Sequence, residues 1–420
     1  MSFRLILNFV FIMLLFLILF SFAMFQGGFL SWFLFYSFLP IFLYHIGLLI
    51  YPMKKWHVTR TVSPMVVEAG SDVTVTIKLH RKIAFPLYYC VVEERLPDSL
   101  NKVDYRLEKY KYMENPHSMK IKRRKKQIIF PGFKRNFTVN YQLKQIPRGE
   151  HQLSNIRIRT GDVFGLIQKE HVFQTSDYMM VYPSRRSIHM DEQSQSLDHG
   201  TMSAHSLNIS NTNVVSGIRD YLPGDRFSWI DWKQTARKNT MMTKEFEQEK
   251  SADTLVVLNC TSNDRFNELA FEATVEMSYS FIDMFKKNAI PSGLLTIGEK
   301  ADYFPVQPYQ GQNDLTKRHL TTIQPTGKQM FSMKLKEELI RLQTQYLIVI
   351  LTTYIDDQLK ETVKELKMQK RRVMLIFVQA EKALTQTDLA ILHHLTQQGI
   401  FVSHISETQL INDRIEVNQL

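Results

Sequence analysis

The chain has 420 residues, 44% of them hydrophobic, and its 52 Lys and Arg against 41 Asp and Glu give a formal net charge of +11 at pH 7. That length leaves room for two or three domains with their own cores, and the basic balance favours anionic partners. Only two cysteines occur, Cys90 and Cys260, each inside an apolar run, so a disulfide framework and a thiolate zinc site are excluded by count and both are read as buried thiols.

Residues 1–55 read as a membrane hairpin. The stretch 5–25 carries only Asn8 and Ser21 among apolar and small side chains, and 29–51 is nearly as apolar, with one interior histidine, His45. Each meets the roughly 20 residues a helix needs to cross hydrocarbon, and Gln26-Gly27-Gly28 is the turn between them. A cleaved signal peptide is the competing reading of the first stretch, but no small-x-small site follows and a second span comes at once. Arg4 precedes the first span, Lys54 and Lys55 follow the second, and the turn has no cation, so the positive-inside rule places both ends in the cytoplasm. The expectation is a two-pass cell-membrane protein with cytoplasmic soluble domains. Its nearest anionic partner is lipid, and nucleic acid is not called for. His45 is expected to hydrogen-bond within the hairpin or to reach toward the interface.

Between 56 and 184, short β-branched and aromatic runs at 65–67, 73–79, 87–92, 128–130, 137–143, 156–158 and 178–181 are separated by Gly, Pro, Asn and Asp. Alternation and spacing predict an antiparallel β-sandwich. Thr160-Gly161-Asp162-Val163-Phe164-Gly165 is a turn signal within it. Lys120, Lys122, Arg123, Arg124, Lys125 and Lys126 form a dense basic run, with Arg106, Lys109 and Lys111 upstream across a turn at Asn115-Pro116. It has two readings, a solvated hairpin face or a patch resting on anionic headgroups. Residues 185–213, rich in Ser, Gln, Asn, His and Asp, read as a polar linker, and His189, His199 and His205 are too scattered to suggest a metal.

The segment 214–250 holds the most unusual stretch, 216–238, with Trp229 and Trp232 crowded among Arg219, Asp220, Asp225, Arg226, Asp231, Lys233 and Arg237. Pro223-Gly224 predicts a type II turn. Asp225 is placed as an N-cap, and Trp229, Trp232 and Ala236 fall on one face of a short helix ending near Asn239. The favoured reading is an aromatic wedge locking two domains together. The alternative is an enzyme site, with Asp225, Asp231, Lys233 and Arg237 around a small anionic substrate, although no nucleophile, base and orienter can be picked out and no catalytic residue is assigned.

Arg219, Tyr221, Gly224, Asp225, Ile230, Asp231, Trp232, Lys233, Ala236 and Arg237 match, in order and without gaps, the pattern Arg-x-Tyr-x-x-Gly-Asp followed by Ile-Asp/His-Trp-Lys-x-x-Ala-Arg. In this the chain resembles the DUF58 family. Ser228 stands where the family often carries arginine. The stretch at 160–165 is also similar to the Thr-x-Asp-Pro-Phe-Gly-Leu that precedes the family's signature, with Val163 for the proline. The resemblance implies a genetic neighbourhood with a MoxR-type AAA+ ATPase, and often a transglutaminase-like membrane protein. The function it implies is a membrane-anchored scaffold or adaptor working with that ATPase in assembly or maturation of a client complex.

From 251 to 420, continuous apolar runs at 255–258, 293–297, 346–351, 373–378 and 400–402 alternate with helical patterns at 265–288, 333–344, 357–369 and 387–398. This predicts a doubly wound α/β sheet with ligand positions after its strands, at 259–264 and 352–357. The order resembles the von Willebrand factor A-like domain that the same family is thought to contain. Metal-binding members of that fold carry Asp-x-Ser-x-Ser after the first strand, whereas Asn259-Cys260-Thr261-Ser262-Asn263 lacks the leading carboxylate. A metal-free or very weak magnesium site is therefore expected, and Asp356 and Asp357 serve equally well as helix-initiating residues. No phosphate loop, His-Glu-x-x-His or nucleophile elbow is present, and no cofactor is expected.

Overall fold

The computed structural model describes residues 3–190, 213–222, 225, 227–248, 253–288, 290–305, 312–327, 330–342 and 346–420. The chain divides into two compact units, Met1–Arg106 with Met119–Tyr182, and Leu107–Ser118 with Pro183–Leu420.

The first unit opens with two helices, α1 (Phe3–Gln26) and α2 (Phe29–Ile50), joined at Gly27, whose φ of 61° is one that side-chain-bearing residues rarely adopt. Phe16 stacks on Phe42 at 4.0 Å between them. Both are long and apolar enough to cross a bilayer, and Leu14, Leu17 and Phe33 are exposed.

Eight strands follow: β1 (His57–Ser63), β2 (Val66–Glu68), β3 (Val73–His80), β4 (Tyr89–Arg95), β5 (Arg124–Ile129), β6 (Asn136–Leu143), β7 (Gly149–Gly161) and β8 (Gln168–Tyr182). They form a three-stranded sheet, β1-β3-β6, and a five-stranded sheet, β2-β8-β7-β4-β5. Pairings are antiparallel except β2 with β8. In β3 the alternation is strict, with Val73, Val75, Ile77 and Leu79 buried. These join Cys90, Val92, Ile156, Ile158 and Val181 of the other sheet, and Phe42 and Leu48 of α2, in one core. Two sheets thus contribute to one core in the region expected to be strand-rich, with a strand the sequence reading missed: β1 points Arg60 inward, where its guanidinium bonds Glu94 at 2.5 Å and Asp177 at 3.1 Å. The last three cations of the basic run, Arg124, Lys125 and Lys126, open β5, the edge of its sheet, where cations discourage pairing with another chain. Arg123 turns back instead to donate to the Lys144, Lys102 and Gln145 carbonyls.

The second unit comprises β9 (Ser187–Met190), β10 (Asn213–Asp220), α3 (Trp232–Lys238), β11 (Met242–Gln248), β12 (Asp253–Asn259), α4 (Glu268–Lys287), β13 (Ser292–Ile297), β14 (Ala301–Phe304), α5 (Gln312–Thr322), α6 (Phe331–Arg341), β15 (Tyr346–Thr352), α7 (Asp357–Met368), β16 (Arg372–Val378), α8 (Gln386–Gln397), β17 (Phe401–Ile405), α9 (Glu407–Leu410) and β18 (Arg414–Val417). Its main sheet runs β14-β13-β12-β15-β16-β17, parallel except for β14. Leu255, Val257, Ile348 and Ile350 share a core with α6, α7 and α8. The intervening residues Val256, Leu258, Val349 and Leu351 are equally buried and point to the other face, against which α4 packs.

Two expectations about boundaries change. Ser187–Met190 is no linker but β9, pairing in parallel with β18, Ser187 opposite Arg414; of that linker, residues 191–212 lie outside the described residues. Leu107–Ser118, expected as part of the sandwich, belongs to the second unit as short 3-10 turns. There Glu276 of α4, 2% exposed, accepts from Lys109 Nζ at 2.5 Å and from the Tyr110 hydroxyl at 2.7 Å.

Candidate functional site

The signature folds as a projection on two strands. β10 and β11 pair antiparallel, Ile218 opposite Lys244 and Asp220 opposite Met242, and the chain between them is braced at three points. Arg219 grips Asp225 with two bonds of 2.8 Å, a fork-to-carboxylate match, and Asp225 also accepts from the Leu222 amide at 3.0 Å. The Arg219 bond, followed by that amide, holds the Asp225 carboxyl below the usual carboxylate range. Asp231 caps α3, accepting from the Lys233 and Gln234 amides at 3.1 Å, and Asn239 closes the helix in the left-handed conformation. Ile230, buried, bridges to Thr243, while the Met242 amide donates to Thr235 Oγ1.

Three expectations are corrected here. The helix N-cap is Asp231, because Asp225 is taken by Arg219. Trp229 lies on a separate 3-10 turn, Phe227–Trp229, ahead of α3. Trp232, expected inside a wedge, is 66% exposed, and Phe227 and Leu222 of the same segment are exposed as well. Tyr221 sits near Phe227, ring centroids 6.5 Å apart, and Ala236 is exposed on α3. The type II turn expected at Pro223 and Gly224 lies outside the described residues. Lys233 and Arg237 are exposed one turn apart. Both carboxylates of the enzyme reading brace the fold, Asp225 through Arg219 and the Leu222 amide and Asp231 through its Oδ1 on the Lys233 and Gln234 amides.

The other place to inspect is where strand order reverses, between β12 and β15, the usual ligand position of an open α/β sheet. Asn259 Nδ2 donates to Thr352 Oγ1 at 3.0 Å, and its Oδ1 accepts from the Thr261 amide and hydroxyl at 3.0 and 2.8 Å. Thr261 continues to the Tyr354 hydroxyl at 2.6 Å. Asp356 is turned to the Leu359 amide as the cap of α7, and Asp357 faces Lys360. A magnesium ion needs hard, charged oxygens, and this ring is neutral with its acceptors already used, so the residues present do not fit one. Among the described residues no three His, Cys, Asp or Glu gather for any metal.

Sequence reasoning missed two buried polar clusters. One is Glu276 with Lys109 and Tyr110, whose signal was a glutamate set between Val275 and Met277 on the apolar middle of the helix. The other joins the helices to the 160–165 turn. His45 Nδ1 lies 2.7 Å from the Ile41 carbonyl and Nε2 3.3 Å from Asp162. Asp162 in turn accepts from the Phe164 and Ile167 amides.

Fold and site together define a class: a chain with two apolar helices leading into a sandwich, then a mostly parallel α/β sheet bearing an exposed, braced signature hairpin. The family described as "Protein of unknown function DUF58" matches residues 217–414. "Uncharacterized protein YeaD" of Bacillus subtilis (strain 168) is 37% identical over 322 residues, covering 76% of this chain and 75% of its own. The chain belongs to the DUF58 family. Among solved structures, Cwp6 from Clostridium difficile overlaps 86% of this chain and 53% of its own at 9% identity, with a TM-score of 0.15 that carries no weight on fold or function.

Proposed function

We propose that this protein is a membrane-anchored, cytosol-facing scaffold that docks a protein partner on the signature projection between β10 and β11. The observation that carries this is the exposure of Trp232, with Phe227 and Leu222, on a frame held by the Arg219–Asp225 fork and the Asp231 cap. Large aromatics on a rigid support are what protein interfaces use as anchors, and Lys233, Arg237 and Lys238 beside them suit an acidic rim on the partner. Family resemblance points to a MoxR-type AAA+ ATPase as that partner, with client assembly or maturation as the outcome. The α/β sheet is of von Willebrand A type in this reading, with the neutral Asn259 ring in place of an ion, so docking is ion-independent. The cations Arg4, Lys54 and Lys55 flanking the helices support the cytosolic orientation. An enzyme acting on a small anion is the weaker reading, because it needs Asp225 and Asp231 free.

The test is retention of the cognate ATPase by full-length protein in lipid nanodiscs, with and without nucleotide. Wild type should retain it in a nucleotide-dependent manner. Trp232→Ala should weaken retention about 30-fold, the effect of an interface anchor worth roughly 2 kcal/mol. Equal retention by the variant refutes the proposal.

A further inference from the structure

We propose that one end of the β-sandwich is itself seated in the bilayer, through an apolar crown of loops that dips into the headgroup–acyl boundary of the leaflet where α1 and α2 emerge. The inference rests on reading those two helices as spans. Loops 82–88, 130–135 and 162–167 present Ile83, Tyr88, Phe130, Phe133, Val163 and Phe164, all more than half exposed. Phe130, Phe133 and Phe164 reach about 70% each (70, 69 and 68%). Strand register puts the three loops at the same end of the sandwich. His57 pairs His80 and His80 pairs Asn136 in one sheet; Tyr89 pairs Gly161 and Gly161 pairs Gln168 in the other, with Ile129 opposite Cys90.

That end meets both helices inside their termini. Leu166 O accepts from Asn8 Nδ2 at 2.7 Å, five residues into α1, and Asp162 faces His45, five residues before the end of α2. Five residues are about 7.5 Å of helix rise, so this loop lies as deep as the band, roughly 5–10 Å, that interfacial elements occupy. Phe85 packs on Gly47, and the Tyr51 hydroxyl donates to Ile83 O at 3.1 Å. At that depth the covering phase is lipid, the same phase that covers Leu14 and Leu17; a protein partner would have to enter the hydrocarbon to reach these tips.

The crown is built rather than floppy. Arg81, fully buried, donates to Lys134 O, Phe85 O and Gly132 O at 2.6–2.8 Å, tying two loops together. Asp162 fixes the third through the Phe164 and Ile167 amides. Around the tips stand exposed Lys82, Lys134 and Arg135, and Lys169 Nζ caps α2 at Leu49 O and Tyr51 O, placing cations at headgroup level. The basic run is at the far end: Arg124 pairs Arg95, five residues or about 17 Å along β5 from Ile129. The cations that face lipid are therefore those of the crown and not the 120–126 run.

Nitroxide labels on the full chain, reconstituted into phosphatidylcholine–phosphatidylglycerol vesicles, test this. Labels placed by Phe133→Cys and Phe164→Cys should collide more with oxygen than with an aqueous nickel chelate, as should one at Leu17→Cys in the middle of α1. A label at Lys122→Cys should show the reverse. Ile83→Cys and Val163→Cys repeat the measurement should either phenylalanine variant misfold. Nickel preference at the loop positions with oxygen preference at Leu17 overturns the crown alone. Nickel preference at Leu17 as well overturns the membrane reading, and the crown with it.

Discussion

Glu276→Leu should release the 107–118 segment from α4. The carboxylate is 2% exposed and serves Lys109 at 2.5 Å and Tyr110 at 2.7 Å. Its removal leaves a buried ammonium with no counter-charge from Glu276, a change that costs about 3–5 kcal/mol. Lys109→Met, which strands the carboxylate, should cost a similar amount. Lys109→Met combined with Glu276→Leu removes both charges into side chains of similar volume, and the principal remaining loss is the acceptor of the Tyr110 hydroxyl, about 1–3 kcal/mol. The double variant should thus be more stable than either single. A chain with two compact units does not unfold in one step, so the assay is amide exchange of α4 and of 107–118 in the full-length protein. At tenfold per 1.4 kcal/mol, protection should fall roughly a hundredfold to several thousandfold in each single variant and at most about a hundredfold in the double. A double variant whose loss equals the sum of the singles refutes a coupled pair.

The other predictions are local. A Cβ at Gly47 would lie 2.7 Å from Phe85 Cε2, and Phe85 is already held between Tyr44 and Tyr51. Gly47→Ala should therefore cost about 1–3 kcal/mol in detergent melts, with Phe85→Leu restoring part; no shift in the melt contradicts the packing. Trp232→Ala should change stability by no more than about 0.5 kcal/mol because the ring is exposed, against the roughly 3–5 that a buried indole would lose; denaturant titration separates the two. Asp231→Ala should cost about 1 kcal/mol through the lost cap of α3, read as faster amide exchange at Lys233 and Gln234. Burial, opposed by the Pro147 carbonyl, holds His151 below its ordinary range. Its depressed value means that stability present above about pH 6.5 is lost as pH falls further. Protection of β7 should drop on acidification and should do so less in His151→Gln; an identical pH profile refutes the assignment.

What could be read from the chain follows from which side chains meet a pattern. β3 was legible because Val73, Val75, Ile77 and Leu79 alternate with polar residues, and the central strands of the main sheet because both their faces are apolar. β1 was not, because one of its inward positions is Arg60, a cation satisfied only by Glu94 and Asp177 far along the chain. The same holds for Lys109, which looked like one more solvated cation until Glu276 was placed beside it. Within the signature, the cap and the end of the helix at Asn239 came from local chemistry, though Asp231 rather than Asp225 makes the cap, since the pairing of Arg219 with Asp225 is tertiary. Exposure of Trp232 has no local signature at all: an indole at helical spacing looks alike on a core face and on a docking face.

The loan of residues 107–118 from one unit to the other makes the chain pass between them three times, at 106–107, 118–119 and 182–183. A protease cut anywhere in 191–212 therefore leaves this segment on the amino-terminal piece while it packs on the carboxyl-terminal one, and the two should co-migrate until denatured. A recombinant piece starting at residue 183 takes α4 without its Lys109 and Tyr110, baring an unpaired carboxylate on an apolar helix. Anyone dividing this protein for biochemistry should carry 107–118 along, grafted in cis or supplied as a peptide.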